Sequence, residues 1–211
     1  MNKSKLVLFD FNGTILNDTS VFLNSMREVF RFFNKKPPTK DQYFAEIEGD
    51  YLKIYTSRGI TAGRDRLNEI YEAYYNQHVH PAKLHPGVIS TLNECQTRGF
   101  SLGMITTQKK ELTVPLLKKF EIENYFSDSY FHVFNKAKYI QIFLKEYSVS
   151  PANCFYVGDA PSDIRHAKKA GVKSIAFLNG FVSEELLRAA EPDYLIKDIY
   201  SIIAIVDHDN V

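Results

Sequence analysis

Five short apolar runs divide the chain into one early strand and a later group of strands. They lie at residues 6–9, 102–105, 154–157, 174–178 and 194–196. None of them alternates strictly between apolar and polar positions, which is typical of strands that are covered on both faces in a parallel sheet. Amphipathic helical stretches separate the later runs, and two of these helices stop at Gly99 and Gly171. The pattern predicts an α/β fold with a doubly wound parallel sheet, whose ligands bind at the carboxyl ends of the strands.

The segment between the first and second runs shows helical patterns and no convincing strand. We expect a first helix from about residue 18 to about residue 34, ahead of the helix-breaking Pro37 and Pro38. Thr39 and Gln42 have the spacing of a capping box that opens a second helix, and a later helix is indicated around residues 67–74. We therefore predict a core formed by residues 1–15 and 86–211 and an inserted helical domain formed by residues 16–85.

The composition of the chain argues against several classes of protein. Of its 211 residues, 45% are apolar and 24% are charged, and the formal net charge is +1. This balance is typical of a soluble globular protein and argues against nucleic acid as a partner. No run approaches the roughly 20 apolar residues of a membrane span, and the N-terminus lacks a signal-peptide pattern. We therefore expect a cytoplasmic protein without a membrane partner, with Cys95 and Cys154 in its core.

Polar residues follow three of the predicted strands. Asp10 follows the first strand, Thr106 and Thr107 follow the second, and Asp159 and Asp163 follow the third. Parallel strands bring these ends together at one edge of the sheet. Paired carboxylates at such an edge suit Mg²⁺, which takes oxygen ligands from carboxylates, water and phosphate. Asp10 is also placed to act as a nucleophile toward phosphorus.

Neighbouring residues would complete a phosphate site. Gly13 lets the turn after the first strand pass close to a phosphate, and Thr106 offers a hydroxyl donor. A lysine, either Lys136 or Lys138, would neutralise the acids. Each residue also has a plain structural explanation, because acids at strand ends are often turn or N-cap residues and most lysines are solvated. The order of the residues and their joint position at strand ends favour the chemical interpretation.

In this order the residues resemble the motifs of the haloacid dehalogenase-like hydrolases. Residues 10–14, DFNGT, look like the first motif, usually DxDGT, and Ile105–Thr106 resembles the second. Residues 157–163, VGDAPSD, resemble the fourth motif in a context similar to the phosphoglycolate phosphatase-like branch. The resemblance covers the core from end to end. It implies a Rossmann-like core, a mobile cap formed by the helical insertion, and a phosphohydrolase that uses Mg²⁺.

The resemblance also implies a role for each matching residue. Asp10 would be the nucleophile and a magnesium ligand, and Asn12 would offer its backbone carbonyl to the metal. Asp159 would be the main metal ligand of the fourth motif, and Asp163 would support the metal through water or hydrogen bonds. Four further positions would bind the phosphoryl group: Thr106, Gly13, Thr14 and Thr107.

The lysine of the third motif is harder to place, because its familiar Lys-Pro pair is missing. Counting back from Ser150–Pro151 to the usual start of the preceding helix favours Lys136 over Lys138. We therefore expect Lys136 to be the catalytic lysine.

Asn12 stands where phosphatases of this superfamily have an aspartate that protonates the leaving group and later activates water. A carboxamide does not titrate near neutral pH, and loss of a general acid–base group typically costs about 10² to 10⁴ in rate. One hypothesis is a slow or specialised phosphatase whose substrate has a good leaving group, such as an acyl phosphate, an aryl phosphate or a phosphoanhydride. A related possibility is that the cap or the substrate itself supplies the proton. The others are a different reaction on the same scaffold, and a non-catalytic protein that binds magnesium and a phosphorylated ligand.

Asn12 also has two explanations that do not involve a natural role. One is an engineered substitution that traps a substrate complex. The other is deamidation, because an Asn-Gly pair is flexible and the reaction would turn the amide into an aspartate or its iso form.

The insertion supplies candidates for recognising the rest of the substrate. Lys53 and Arg58, with Arg64, lie near a predicted turn around residues 49–54 and could bind a second anionic group, the alternative being a solvated helix surface. Most tyrosines of the insertion are expected to pack between its helices. Three histidines near the return to the core lack a cysteine or acid to complete a zinc site, so a hinge is expected there: His78, His80 and His85.

Taken together, these features predict a magnesium-dependent phosphohydrolase that acts on a small phosphorylated metabolite through an aspartyl-phosphate intermediate. We expect a monomer or a homodimer. Asn12 makes the activity slow or specialised, and the competing hypothesis is a catalytically weakened protein that binds a phosphorylated ligand.

Overall fold

The computed structural model describes residues 5–46, 51–178 and 182–208. The chain divides into two compact units, with boundaries between Asn17 and Asp18 and between Lys83 and Leu84. The smaller unit is residues 18–83, and the larger unit combines the segments before and after it. The insertion expected from the sequence, residues 16–85, is two residues longer at each end.

The elements are numbered in chain order. The strands are β1 Leu6–Phe9, β2 Leu16–Asn17, β3 Lys83–Leu84, β4 Ser101–Ile105, β5 Asp128–Tyr130, β6 Cys154–Gly158, β7 Lys173–Phe177 and β8 Tyr194–Ile196. The helices are α1 Thr19–Phe32, α2 Lys40–Glu46, α3 Leu52–Thr56, α4 Arg64–His78, α5 Val88–Thr97, α6 Lys110–Lys119, α7 Lys136–Glu146, α8 Pro161–Ala170, α9 Glu184–Ala189 and α10 Ile202–His208. None of the helices in the described ranges combines the length and the hydropathy that crossing a bilayer requires.

A six-stranded sheet forms the centre of the larger unit. Its order is β5-β4-β1-β6-β7-β8, and each neighbouring pair is parallel. From β1 the sheet extends through β4 to β5 on one side and through β6 to β8 on the other, so the strand order reverses at β1. Ligands of such sheets bind outside the carboxyl ends of the strands at this switch point. The doubly wound parallel α/β fold predicted from the sequence is confirmed.

The central strands bury all their side chains. Every residue of Leu6–Phe9 and of Cys154–Gly158 is buried. Leu8 and Tyr156 pack in one apolar cluster with Phe143 of α7. A strand that is covered on both faces must be apolar on both, which is why these runs show no alternation.

Two elements of the larger unit escaped the sequence pattern. β5 reads Asp-Ser-Tyr and is only partly buried, so it has no apolar run, and its pairing with β4 makes it a strand. Helix α6 contains Pro115, which interrupts the helical signal. The expectation that residues 16–85 contain no strand is wrong at both ends, where β2 and β3 pair in a two-stranded sheet.

The smaller unit contains the helices α1 to α4. The predicted capping box is present at α2, where the Thr39 N–H donates to Gln42 Oε1 (2.9 Å) and the Gln42 N–H donates to Thr39 Oγ1 (3.2 Å). Asp18, just before α1, is buried and accepts a hydrogen bond of 2.6 Å from the Tyr75 hydroxyl of α4. Several tyrosines pack between the helices as expected: Tyr43, Tyr55 and Tyr75.

Gly103 of β4 provides a test of how tightly the sheet packs. A Cβ added at Gly103 would lie 2.5 Å from Phe143 Cε1 and 2.7 Å from Leu8 Cδ2, both in the buried core. We expect Gly103→Ala to lower the free energy of unfolding by about 1–3 kcal/mol, because the core has no room for a methyl group. Gly63→Ala is the control, since a Cβ there has open space. Urea denaturation measures both variants, and equal stability of the two would contradict the packing described.

Candidate active site

Three neighbouring strands deliver polar residues to one edge of the sheet. Asp10 follows β1, and its backbone N–H donates to the Val157 carbonyl of β6 (2.9 Å). Thr106 follows β4, and Asp159 follows β6. Because β1 pairs with both β4 and β6, the structure brings these three positions together as the sequence predicts.

Three carboxylates are close together and buried at this edge. Asp10, Asp159 and Asp163 are 8%, 1% and 1% exposed, and each offers an oxygen within 4.8 Å of the other two. Asp163 lies in the first turn of α8 and accepts a hydrogen bond of 3.2 Å from the Ala160 N–H. A set of buried carboxylate oxygens fits a hard divalent cation such as Mg²⁺.

Lys136, the first residue of α7, lies between two of these carboxylates. Its Nζ is 2.8 Å from Asp10 Oδ1 and 2.7 Å from Asp163 Oδ1, and the side chain is buried. The same ammonium lies 5.7 Å from the centre of the Tyr156 ring, and the Tyr156 hydroxyl donates to the Ile105 carbonyl (3.4 Å) and to Asp163 Oδ1 (3.5 Å). Lys138 is exposed. Of the two lysines considered from the sequence, the structure therefore places Lys136 at the carboxylates.

Burial and charge act on this cluster in opposite directions. Burial alone would lower the pKa of Lys136, but Asp10 and Asp163 raise it, and the net pKa lies well above its usual range. For Asp10, burial raises the pKa, Lys136 lowers it and Asp163 raises it, with a net result of about 6. Without a further cation, the site thus holds more negative charge than Lys136 neutralises.

The turn after β1 is shaped by Gly13. Its backbone is left-handed, with φ of 77°, and its N–H donates to the Leu16 carbonyl (2.8 Å). A Cβ on Gly13 would overlap the carboxylate of Asp159, so both the conformation and the space require glycine. The Thr14 hydroxyl donates to Asp159 Oδ1 (3.1 Å), which orients that carboxylate.

Gly158 is required for a similar reason. A Cβ at this position would overlap the side chain of Asp163, which lies directly against the end of β6. In the sequence Gly158 stands out only as part of the fourth motif, and Tyr156 does not stand out at all. The hydroxyl of Tyr156 had no local signal, because it lies inside an apolar strand.

Asn12 and Thr106 meet at the same edge. The Thr106 hydroxyl donates to Asn12 Oδ1 over 3.4 Å and accepts a hydrogen bond of 3.1 Å from the Gln108 N–H. Thr106 is fully buried, whereas Thr107 is exposed.

Deamidation of Asn12 requires attack by the Gly13 backbone nitrogen on the side-chain amide. The N–H of Gly13 donates to the Leu16 carbonyl, and this hydrogen bond restrains the nitrogen from attacking.

The predicted substrate residues of the insertion lie in the smaller unit. Arg58 forms two hydrogen bonds with Glu46, of 2.6 and 2.8 Å, and this pairing lowers the pKa of Glu46. Lys53 is exposed on α3, and the Arg64 guanidinium lies over the Tyr51 ring at 5.2 Å. Residues 49 and 50 of the predicted turn lie outside the described residues. Substrate binding by Lys53 and Arg58 stays a prediction.

The histidines do not form a metal site in the part of the chain that the structure describes. In those ranges, the only group of three acidic, imidazole or thiol side chains with ligand atoms close enough to share an ion is Asp10, Asp159 and Asp163. His85 lies elsewhere in the larger unit, in contact with Phe177.

Comparison with known proteins is consistent with this geometry. The sequence matches the family model described as haloacid dehalogenase-like hydrolase over residues 7–177. It is 26% identical over 210 residues to a pyrophosphatase PpaX from Halalkalibacterium halodurans, covering 95% of both chains. It is 24% identical over 222 residues to a phosphoglycolate phosphatase from Vibrio vulnificus, covering 96% of both. A solved haloacid dehalogenase-like hydrolase from Streptococcus pneumoniae superposes with a TM-score of 0.78 at 22% identity, covering 97% of this chain and 99% of that one.

The two lysines allow a matched test of the buried ion cluster. We expect Lys136→Met to lower the free energy of unfolding by about 3–5 kcal/mol, because it leaves buried carboxylates without their cation. Lys138→Met, at an exposed position on the same helix, should change it by less than about 0.5 kcal/mol. Urea denaturation without divalent metal measures both variants. A similar, small effect of the two substitutions would refute the role of Lys136 as the counter-ion.

The raised pKa of Asp10 predicts a pH dependence. A carboxyl whose pKa rises from 3.8 in the unfolded chain to about 6 in the folded chain stabilises the fold below pH 4, and this stabilisation is lost as the pH rises through 6. Asp10→Asn lacks the titrating group. In the absence of metal, we therefore expect the melting temperature of Asp10→Asn relative to the parent to increase between pH 5 and pH 7.5. Differential scanning calorimetry tests this, and a difference that is constant with pH would show that Asp10 titrates normally.

Proposed function

The chain belongs to the haloacid dehalogenase-like hydrolase family, and we propose that it is a magnesium-dependent phosphohydrolase that acts on a small phosphorylated metabolite through an aspartyl-phosphate intermediate. The family match confirms the hydrolase class expected from the motifs. The observation that carries the proposal is the contact of Lys136 with both Asp10 and Asp163, beside Asp159, at the switch point of the sheet. The cytoplasmic location and the monomeric or homodimeric state stay predictions.

The proposed metal ligands are the carboxylates of Asp10 and Asp159 and the backbone carbonyl of Asn12, with Asp163 in support. The three carboxylates supply the oxygen donors that Mg²⁺ prefers. Bound Mg²⁺ would supply positive charge against the phosphoryl oxygens. The bound cation would also neutralise the negative charge that Lys136 leaves in the cluster.

Asp10 is the proposed nucleophile. Lys136 binds Asp10 Oδ1 and so fixes the orientation of the carboxylate. Attack by a carboxylate oxygen forms a bond to phosphorus, and the bond to the leaving-group oxygen breaks with its electron pair leaving on that oxygen. Water then attacks phosphorus, which releases inorganic phosphate and restores the Asp10 carboxylate. The Thr106 hydroxyl and the turn at Gly13 are proposed to bind the phosphoryl oxygens.

Asn12 selects the leaving group in this proposal. Thr106 donates to Asn12 Oδ1, so the amide can offer N–H donors to a departing oxygen but no acidic proton. Groups that leave readily as anions need no protonation, which favours acyl phosphates, aryl phosphates and phosphoanhydrides over alkyl phosphates. One of the relatives is named a pyrophosphatase, whose substrate is a phosphoanhydride, and another a phosphoglycolate phosphatase, whose substrate is an alkyl phosphate. We propose the first of these two substrate classes for this chain.

A catalytically weakened protein that binds a phosphorylated ligand is the second candidate. The observation in its favour is Asn12, which removes the proton donor while the neighbouring carboxylates, lysine and threonine are retained. A different reaction on the same scaffold is a further alternative. These hypotheses differ from the main proposal in the hydrolysis rates they predict for the parent protein and for Asn12→Asp.

A series of substrates with different leaving groups tests the proposal. We expect the parent protein with Mg²⁺ to hydrolyse acetyl phosphate, p-nitrophenyl phosphate and pyrophosphate, and to be nearly inactive on alkyl phosphates such as phosphoglycolate. Asn12→Asp should raise the rate on alkyl phosphates by about 10²- to 10⁴-fold, because it restores a general acid, and should change the rate on acyl phosphates much less. Phosphate release in steady-state assays measures each rate.

Asp10→Asn is the control, since it removes the nucleophile and should abolish turnover in either background. If neither the parent nor Asn12→Asp hydrolyses any of these substrates while both bind Mg²⁺, the phosphohydrolase proposal fails. If only Asn12→Asp is active, the binding-protein hypothesis is correct and Asn12 is the cause of inactivity.

A further inference from the structure

Tyr156 of β6 carries a buried polar group that the proposed reaction does not use. The side chain is fully buried in the apolar cluster that also contains Leu8 and Phe143. A phenylalanine would fill almost the same space. Burying a hydroxyl costs free energy unless a hydrogen bond compensates for it, so packing alone does not explain this hydroxyl.

The hydroxyl of Tyr156 lies within hydrogen-bonding distance of two buried acceptors. It donates to Asp163 Oδ1 (3.5 Å) and to the Ile105 carbonyl (3.4 Å). Asp163 Oδ1 also accepts a hydrogen bond from Lys136 Nζ (2.7 Å), whereas Asp163 Oδ2 accepts one from the Ala160 N–H (3.2 Å). The carboxylate of Asp163 is thus held by three donors, one from α7, one from β6 and one from the residue before α8.

The direction of β6 explains why Tyr156 contacts Asp163. Side chains two residues apart on a strand point to the same face, so positions 156 and 158 share one face of the sheet. A Cβ on Gly158 would overlap the Asp163 side chain, so this face is the one that meets the start of α8. The Lys136 ammonium lies 5.7 Å from the centre of the Tyr156 ring. Tyr156 therefore lies beside both partners of the ion pair between Lys136 and Asp163.

We propose that Tyr156 is a positioning residue, whose hydroxyl holds the Asp163 carboxylate in the orientation that pairs with Lys136 and supports the metal. Tyr156 acts through Asp163 and does not touch the substrate. The inference rests on the proposed function only for the metal, because the contacts themselves lie within the larger unit. Loss of the hydroxyl would let the Asp163 carboxylate rotate and would weaken metal binding before any chemistry takes place.

A double-mutant cycle tests whether the hydroxyl acts through Asp163. Tyr156→Phe removes the hydroxyl and keeps the ring, and in an Asp163→Ala background only the Ile105 carbonyl remains as an acceptor. We expect Tyr156→Phe to raise the equilibrium constant for unfolding about tenfold in the parent protein, and at most about threefold in the Asp163→Ala background. Urea denaturation without metal measures the parent, the two single variants and the double variant.

Mg²⁺ affinity tests the consequence for the site. The metal-free proteins are titrated with Mg²⁺, and the rise in melting temperature follows binding. We expect Tyr156→Phe to bind Mg²⁺ about tenfold more weakly than the parent, as is usual when a metal site loses a supporting hydrogen bond. Tyr75→Phe is the matched control, because the Tyr75 hydroxyl is also buried and donates to a buried carboxylate, Asp18 of the smaller unit. It should bind Mg²⁺ within about twofold of the parent.

Equal Mg²⁺ affinity of Tyr156→Phe and the parent would overturn the proposal. An equal loss in Tyr156→Phe and Tyr75→Phe would overturn it too, because it would show a general effect on the fold. The same rise in the unfolding constant in both backgrounds would show that the hydroxyl does not act through Asp163. If Asp163→Ala does not fold, the comparison of the two tyrosine variants is decisive.

These measurements involve no turnover, so they are separate from the substrate assays. If the parent binds Mg²⁺ and hydrolyses nothing, the proposed function fails while the role of Tyr156 is still decided by the titration. If the parent binds no Mg²⁺, the proposed function fails and the metal-free cycle decides the role of Tyr156 by itself. If the parent is active and Tyr156→Phe binds Mg²⁺ like the parent, only the role of Tyr156 is refuted.

Discussion

The ammonium group of Lys136 is the interaction on which the arrangement of this site depends. It lies between the carboxylates of Asp10 and Asp163, which come from the end of β1 and from the start of α8. Two buried carboxylates at this distance would otherwise repel one another and remain protonated. A single buried cation, with the ring of Tyr156 beside it, lets acids from different elements share one site. The excess negative charge that remains is what a divalent metal would neutralise.

Backbone geometry makes that close approach possible. Gly13 and Gly158 each lie where a Cβ would overlap a carboxylate side chain of the cluster, the first against Asp159 and the second against Asp163. The absence of side chains at these two positions lets the acids approach the strand ends directly. The reversal of strand order at β1 then places the ends of three strands side by side, so that short polar residues suffice to build the site.

Asn12 separates the binding chemistry of this site from its proton chemistry. The proposed metal ligands lie near it, and Thr106, a proposed phosphoryl ligand, donates to its side-chain oxygen. What an amide lacks is a proton that can be transferred. In the proposed reaction, the residues that bind and attack phosphate therefore differ from the residue that would protonate a leaving group.

The sequence by itself determined the central strands, the acids that follow them and the order of the motifs. Runs such as residues 6–9 and 154–157 can be recognised as strands because a strand covered on both faces must be apolar throughout. Asp10 and Asp159 stand out because they are the charged residues that follow these apolar runs. Even Lys136 could be preferred over Lys138, by its distance from the following strand. These features are local, so neighbouring residues are enough to identify them.

Only the tertiary structure decided which distant residues support the site. Tyr156 lies inside an apolar strand, and His85 appeared in the sequence as part of a hinge, yet the fold places Tyr156 beside Lys136 and His85 against Phe177. The polar edge strand β5 likewise exists because β4 offers it a partner. Periodicity reports burial along one element, whereas these contacts join residues tens of positions apart, and no local pattern encodes them.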